Sequence, residues 1–391
     1  MGFGALLCGH AHPAVTAAVA DQLQRGTAYA MPHPGEAELC EELLRRYPFL
    51  DAFRLTSTGT ETTMHALRLA RAHTGRAGAV KVAGGYHGLH DAGMVWEADD
   101  PRDPQVMSAG VLSEAVSQLG VVPFNDLDAV ARAFAARPGQ IAALITEPVL
   151  MNYGLLLPEP GYLQGLKELC HAHGALLILD EVKTGVRLAP GGACEFYGVE
   201  PDLVCLAKAI GGGLPLGALG ARGDLMKLIE EETVAHSGTF NGNPLSVAAG
   251  LAALTEVLTP EAYPELAQLN RMLVDGYNAV IDEFDLPAYA VGVGPSGNVY
   301  FLNDTQGVSV AQRATRFGRD HRVFHHVDEG LAQAPLFDVS DRGVSPYALS
   351  VDNGEQWLIS TQHTEADVRR HLDAFAGVAP ALARRAQLQG A

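Results

Sequence analysis

The chain has 391 residues, with 27 Lys+Arg against 45 Asp+Glu and a formal charge of −18 at pH 7. At roughly 100–200 residues per domain this length suggests two or three structural units, and 48% apolar against 18% charged residues supplies a large core. The charge repels phosphate backbones and anionic membrane surfaces, which excludes nucleic acid and membrane as main partners, and no window holds the ~18 unbroken apolar residues of a membrane span.

In chain order, the opening MGFGALLCGHAHPAV lacks the basic start and long apolar run of a secretory signal. Five cysteines (Cys8, Cys40, Cys170, Cys194, Cys205) are odd in number, scattered and without a CxxC pair. That usage fits reduced thiols and a cytoplasmic location. TSTGTETTMHALRLARA (56–72) is a run of small hydroxyl residues and a glycine leading into a helix. IAALIT (141–146), ALLILD (175–180) and DLVCLA (202–207) read as buried strands. LQGLKELCHAHG (163–174) reads as a helix stopped by Gly174. Strand, helix, strand in repetition is the pattern of a parallel sheet wrapped by helices. After about Leu258 the composition changes. TPEAYPELAQ starts a helix, NVYFLN (298–303) and QWLIS (356–360) read as short strands, and Thr364 with Asp367 caps a last helix expected to kink or break at Pro380.

Three places carry chemistry. Lys208 closes an apolar strand just ahead of Gly211, Gly212 and Gly213, a desolvated setting that lowers an amine's pKa and makes it nucleophilic. A lone lysine there equally describes a side chain reaching the surface. Asp180 closes a second apolar strand. In an open parallel sheet, ligands gather beyond the carboxyl ends of the strands, so Asp180 and Lys208 would share a site; an ordinary salt bridge is the plainer reading of Asp180. The turn at Thr58, Gly59 and Thr60 puts backbone N–H groups and a helix dipole toward an incoming anion, or is an N-cap and no more. Together, a phosphate cradle, an aspartate and a nucleophilic lysine are what pyridoxal 5′-phosphate requires: an anchor, a partner for its ring nitrogen, and an amine for its aldehyde.

Other signals carry less. Gly292-x-Gly294-x-x-Gly297 matches a dinucleotide fingerprint, but a strand follows where a helix is needed. The pairs His10/His12, His171/His173 and His325/His326 lack metal-site spacing, so no metal is expected. No Gly-x-Ser-x-Gly elbow is present.

The sequence resembles the class III aminotransferases of fold type I, and most closely their glutamate-1-semialdehyde 2,1-aminomutase branch. The resemblance is carried in order by GHAHPAV (9–15), STGTETTMHALRLAR (57–71), YHG (86–88), EPVLMNYG (147–154), LDEVKTGVR (179–187), PDLVCLAKAIGGGLPLGA (201–218) and SGTFNGNPLSVAAG (237–250). It implies an α/β fold: a mostly parallel seven-stranded sheet with helices on both faces, plus a smaller α+β C-terminal domain. The implied division is a shortened N-terminal segment over 1–35, a large cofactor-binding domain over 36–258 and a small domain over 259–391.

By position, the resemblance makes Lys208 the Schiff-base lysine and proton shuttle, and Asp180 the partner of the pyridine nitrogen. Val182 and Tyr86 would pack on the two ring faces. Thr58, Gly59 and Thr60 would hold the phosphate, and Asn152 would lie near the ring hydroxyl. Thr239 would reach the phosphate of the neighbouring subunit, which implies a homodimer. The implied activity is transfer of an amino group from an amino acid or amine donor to a carbonyl acceptor. An aminomutase or racemase would use the same lysine, and a non-catalytic protein that binds the cofactor is the alternative of another class. Lys183 and Val186 depart from the family, which more often has an apolar and an aromatic residue there. Arg187 is the nearest arginine able to receive a substrate carboxylate, with a structural ion pair the plainer role.

Overall fold

The computed structural model describes residues 1–96, 105–152, 154–303, 305, 307–319, 327–328, 331 and 355–389. It divides into two compact units, one made of Met1–Val149 with Pro158–Pro260, the other of Leu150–Leu157 with Glu261–Ala391.

In the first unit the elements run α1 (Pro13–Arg25), α2 (Pro34–Arg46), β1 (Ala52–Thr56), α3 (Gly59–Thr74), β2 (Gly78–Val82), β3 (Val95–Trp96), β4 (Gln105–Val106), α4 (Ser113–Val116), β5 (Leu119–Val122), α5 (Leu127–Ala136) and β6 (Ile141–Thr146). They continue with α6 (Tyr162–Ala172), β7 (Leu176–Asp180), α7 (Gly192–Tyr197), β8 (Leu203–Ala207), β9 (Gly217–Ala221), α8 (Gly223–Glu230) and α9 (Pro244–Ala252). The seven-stranded sheet has the order β1-β9-β8-β7-β6-β2-β5, and β9 alone runs against the others. Parallel neighbours need a crossover, supplied here by α6 between β6 and β7 and by α7 between β7 and β8. Those right-handed crossovers lie on one face and α3 packs against the same strands; β6, β7 and β8 are buried at every residue and read as continuous apolar runs. The strands expected at 141–146, 175–180 and 202–207 are all present, within a residue at their starts.

The second unit contains α10 (Ala262–Glu283), β10 (Ala288–Val293), β11 (Ser296–Phe301), α11 (Val310–Phe317), β12 (Glu355–Leu358) and α12 (Glu365–Gln389). β10, β11 and β12 form an antiparallel sheet. The Gly292–Gly297 run is the β10–β11 hairpin, with Gly294 at φ +52 in its turn, so it has no helix to offer a dinucleotide. Tyr277 of α10 stacks between Trp357 of β12 and Phe375 of α12, with ring centroids 4.9 and 4.1 Å away. The Thr364–Asp367 cap forms as read. Of the kink or break expected at Pro380, the break does not occur: α12 continues through it to Gln389. A proline inside a helix costs ~3 kcal/mol, but Phe375, Val378, Ala379 and Leu382 around it are all buried and hold the helix together.

Candidate active site

The carboxyl ends of β6, β7 and β8 place Glu147, Asp180 and Lys208 on successive neighbouring strands. Lys208 begins a short 3-10 turn with φ +53, a left-handed conformation that a non-glycine residue adopts at a cost. Its backbone is thus held off the strand direction, and its side chain is partly buried. Burial pushes the amine's pKa down, Asp180 and Glu147 pull it back up, and Arg187 pushes it down again.

Asp180 is 3% exposed, and each of its oxygens accepts one hydrogen bond. Its Oδ2 accepts from His87 Nδ1 at 2.7 Å, and its Oδ1 accepts from the Val182 backbone N–H at 3.0 Å. His87 is itself buried, and its Nε2 has no hydrogen-bond partner among the described residues. Glu181, the first residue after β7, has a different set of partners. It accepts from the Ala193 and Cys194 N–H groups at the start of α7 and from the Thr184 hydroxyl, and burial raises its pKa. One carboxylate therefore serves the site and its neighbour fastens a crossover helix.

The turn before α3 is a capping box. Thr58 Oγ1 accepts from Glu61 N, and Glu61 Oε2 accepts from the Ser57 and Thr58 N–H groups. That leaves Gly59 and Thr60 as first-turn donors without an intrahelical acceptor, at the positive end of a 16-residue helix. Gly59 fits against the end of the sheet: a Cβ there would lie 2.9 Å from a Val182 methyl and 3.6 Å from Ala207 Cβ. Gly88, at φ +88, fits against Thr60 just as tightly, at 2.5 Å from its Oγ1. Tyr86 on the same loop donates its backbone N–H to Glu147 Oε1 at 2.9 Å, and its hydroxyl is pushed up in pKa by burial and by Asp180. The structure thus brings Thr58, Gly59, Thr60, Tyr86, Asp180, Val182 and Lys208 to one end of the sheet.

Thr239 is exposed on the segment after His236, which is tied back by the Ser57 hydroxyl donating to Asn241 Oδ1 at 3.1 Å. Asn152 belongs to the second unit, in a loop closed by the Leu150–Leu156 bridge. Gln356 Nε2 donates to the Met151 and Gly154 carbonyls there. Arg187 is wholly buried, with Nε donating to the Lys183 carbonyl and Nη2 to the Gly4 carbonyl.

Sequence reading did not assign His87 or Glu147. Both were visible in the YHG and EPV motifs, but their partners lie 93 and 61 residues away. Among the described residues no three His, Cys, Asp or Glu side chains group as a metal site, and His325/His326 lie outside them. None of the five cysteines is in a disulfide, and no described helix is long and apolar enough to cross a membrane.

An amine and a buried carboxylate beyond parallel strand ends, beside a helix N-terminus, define an enzyme site of the fold type I pyridoxal-phosphate class. The aminotransferase class-III family matches residues 1–304. A glutamate-1-semialdehyde 2,1-aminomutase of Myxococcus xanthus (strain DK1622) is 42% identical over 325 residues, covering 83% of this chain and 75% of that protein. An omega-transaminase from Sphaerobacter thermophilus superposes with a TM-score of 0.85 at 32% identity, covering 97% of this chain and 85% of that one. A glutamate-1-semialdehyde aminomutase from Pseudomonas aeruginosa PAO1 does so with a TM-score of 0.82 at 29% identity, covering 96% and 82%. The chain belongs to the class III aminotransferases, enzymes that use pyridoxal 5′-phosphate. The residues present fit that cofactor: Lys208 offers the amine, Asp180 a buried carboxylate already oriented by His87, and α3 an N-terminus with two open N–H donors.

Proposed function

We propose that this enzyme is an aminotransferase that moves an amino group from an amino acid or amine donor to a carbonyl acceptor. When bound, pyridoxal 5′-phosphate supplies an aldehyde for covalent attachment and a pyridine ring that accepts electrons. Lys208 Nζ is the attachment amine. The same Nζ would hold the proton that leaves the donor's carbon and return it. Asp180 would keep the ring nitrogen protonated, with His87 and the Val182 N–H holding its carboxylate in place. The Thr58–Thr60 turn takes the phosphate, and Val182 and Tyr86 take the two ring faces. Asn152 takes the ring hydroxyl, and Thr239 of a second copy completes the phosphate site in a homodimer. Small-molecule donor and acceptor, with no nucleic acid or membrane partner, fit the charge of −18, and a cytoplasmic location fits cysteines without disulfides.

The observation that carries this reading is the Lys208 amine, strained and partly buried, one strand away from an Asp180 that His87 holds in place. A second reading, internal transfer of an amino group within one molecule, is favoured by the curated relative named as an aminomutase at 42% identity. One experiment separates them. Apoprotein is given pyridoxal 5′-phosphate, the visible absorption band is recorded, and amino donors are added singly. A donor that bleaches the band, followed by an acceptor that restores it and appears as a new amine, supports the aminotransferase. Isomerisation of glutamate-1-semialdehyde with no separate acceptor supports the second reading. Lys208→Ala should form no such band. If the unaltered protein forms none, the function proposed here is wrong.

A further inference from the structure

The turn after β7 carries a second lysine that the chemistry above does not use. Lys183 is 3% exposed, and its stem runs beside that of Lys208. A Cβ built on Gly4 would lie 3.5 Å from Lys183 Cγ and 3.7 Å from Lys208 Cδ. Those two carbons are therefore within about 7 Å of each other. The amine lies three bonds beyond the first and two beyond the second, and the two are near enough for the Lys208 charge to act on Lys183. Gly4, at φ +97, is the residue that leaves both stems room.

The charged groups around the pair can be named. Glu147, from the end of β6, draws both amines toward the charged form, and Asp180, from the end of β7, draws Lys208. Burial and Arg187 oppose it for both, and the Lys208 charge opposes it for Lys183, whose pKa is brought down to about 7. Cys8 faces Arg187, while Tyr86 and His87 face Asp180. Two carboxylates thus meet two amines and a guanidinium in a largely buried place. The guanidinium keeps its proton, so the two amines compete for the charge that the carboxylates can still offset.

We propose that Lys183 and Lys208 work as a two-amine unit carrying one proton between them, in which Lys183 Nζ takes the proton that Lys208 Nζ must shed to act as a nucleophile. The transfer balances: one N–H bond breaks on the Lys208 ammonium, one forms on the Lys183 amine, and the net charge of the site is unchanged. Lys183 is a positioning residue here, acting through Lys208. The inference rests on Lys208 being the amine that attaches the cofactor.

The test is the pH dependence of cofactor uptake, read as the rate at which the visible band appears when apoprotein is mixed with pyridoxal 5′-phosphate from neutral to alkaline pH. In K183M, Lys208 faces both carboxylates alone and keeps its proton longer, so the half-maximal pH should rise by about one unit. K183Q should do the same, and serves if K183M does not fold. K183R retains a cation and should stay at or below the unaltered midpoint. An unchanged midpoint in a folded K183M or K183Q overturns the two-amine unit and leaves the assignment of Lys208 standing. Absence of the band in the unaltered protein overturns that assignment and this inference with it.

Discussion

At the scale of single residues, Lys183 carries an effect opposite in sign to the one a buried ion pair is usually credited with. An unfolded lysine holds its proton up to about pH 10.5, while in the fold it is released near 7 because burial disfavours the ammonium. Between those values the unfolded chain binds more protons than the folded one, so stability rises with pH through this window and is lowest at and below 7. Lys183→Met removes the cost. The variant should be more stable than the unaltered protein at pH 7, on the order of a few kcal/mol, with the gap closing as pH approaches 10. Urea unfolding at both pH values measures it, and a variant no more stable at pH 7 would refute the argument. A residue that lowers stability where the site works fits a functional role better than a packing one. Lys208 and Asp180 were legible in the sequence because each ends an apolar strand where a charge is out of place. His87 and Glu147 were not, because the contact that gives each its meaning is made across distant parts of the chain.

At the scale of elements, the site depends on how closely the turn before α3 approaches the loop at 85–88. Gly88 sets that distance: with φ +88 and a Cβ that would lie 2.7 Å from Thr60 Cα, alanine forces the two segments apart. Gly88→Ala should cost about 1–3 kcal/mol through backbone strain and overpacking. It should also weaken binding of pyridoxal 5′-phosphate at least roughly tenfold, which amounts to ~1.4 kcal/mol. Gly75→Ala is the matched control, since it is also left-handed at φ +68 but has nothing within 4 Å of its Cβ. It should lose some stability and no affinity. Equal loss of affinity in both variants would show that glycine strain alone, not the closeness of the two segments, is responsible. The hydroxyl-rich turn and helix of α3 could be read directly, because caps and periodicity are local. The fit of Gly59 to Val182 and of Gly88 to Thr60 could not, since a glycine in a sequence does not say what stands opposite it. The same limit explains Pro380: the proline was legible as a helix breaker, and the buried residues around it that outweigh the break were not.

At the scale of the whole molecule, several large apolar side chains of the single chain face outward, among them Met31 at 75% and Phe240 at 63% exposure. Phe240 directly follows Thr239, so the residue expected to serve a neighbour's phosphate sits beside an uncovered aromatic ring, a combination that suits a contact between copies. In a symmetric pair each copy would lend Thr239 to the other, and each site would be built from two chains. That arrangement makes a quantitative prediction. Lys208→Ala alone is inactive because its own sites lack the amine, and Thr239→Arg alone is impaired because a bulky side chain displaces the partner's phosphate. When the two variants are denatured together, refolded in equal amounts and given cofactor, half of the pairs are mixed. Each mixed pair holds one site with Lys208 from one chain and Thr239 from the other, and one site lacking both. Activity should recover to about a quarter of that of the unaltered protein. Recovery requires the two residues to meet across chains. If Thr239 instead serves the phosphate of its own chain, every site in the mixture lacks one of the two, and activity stays at the level of the parents.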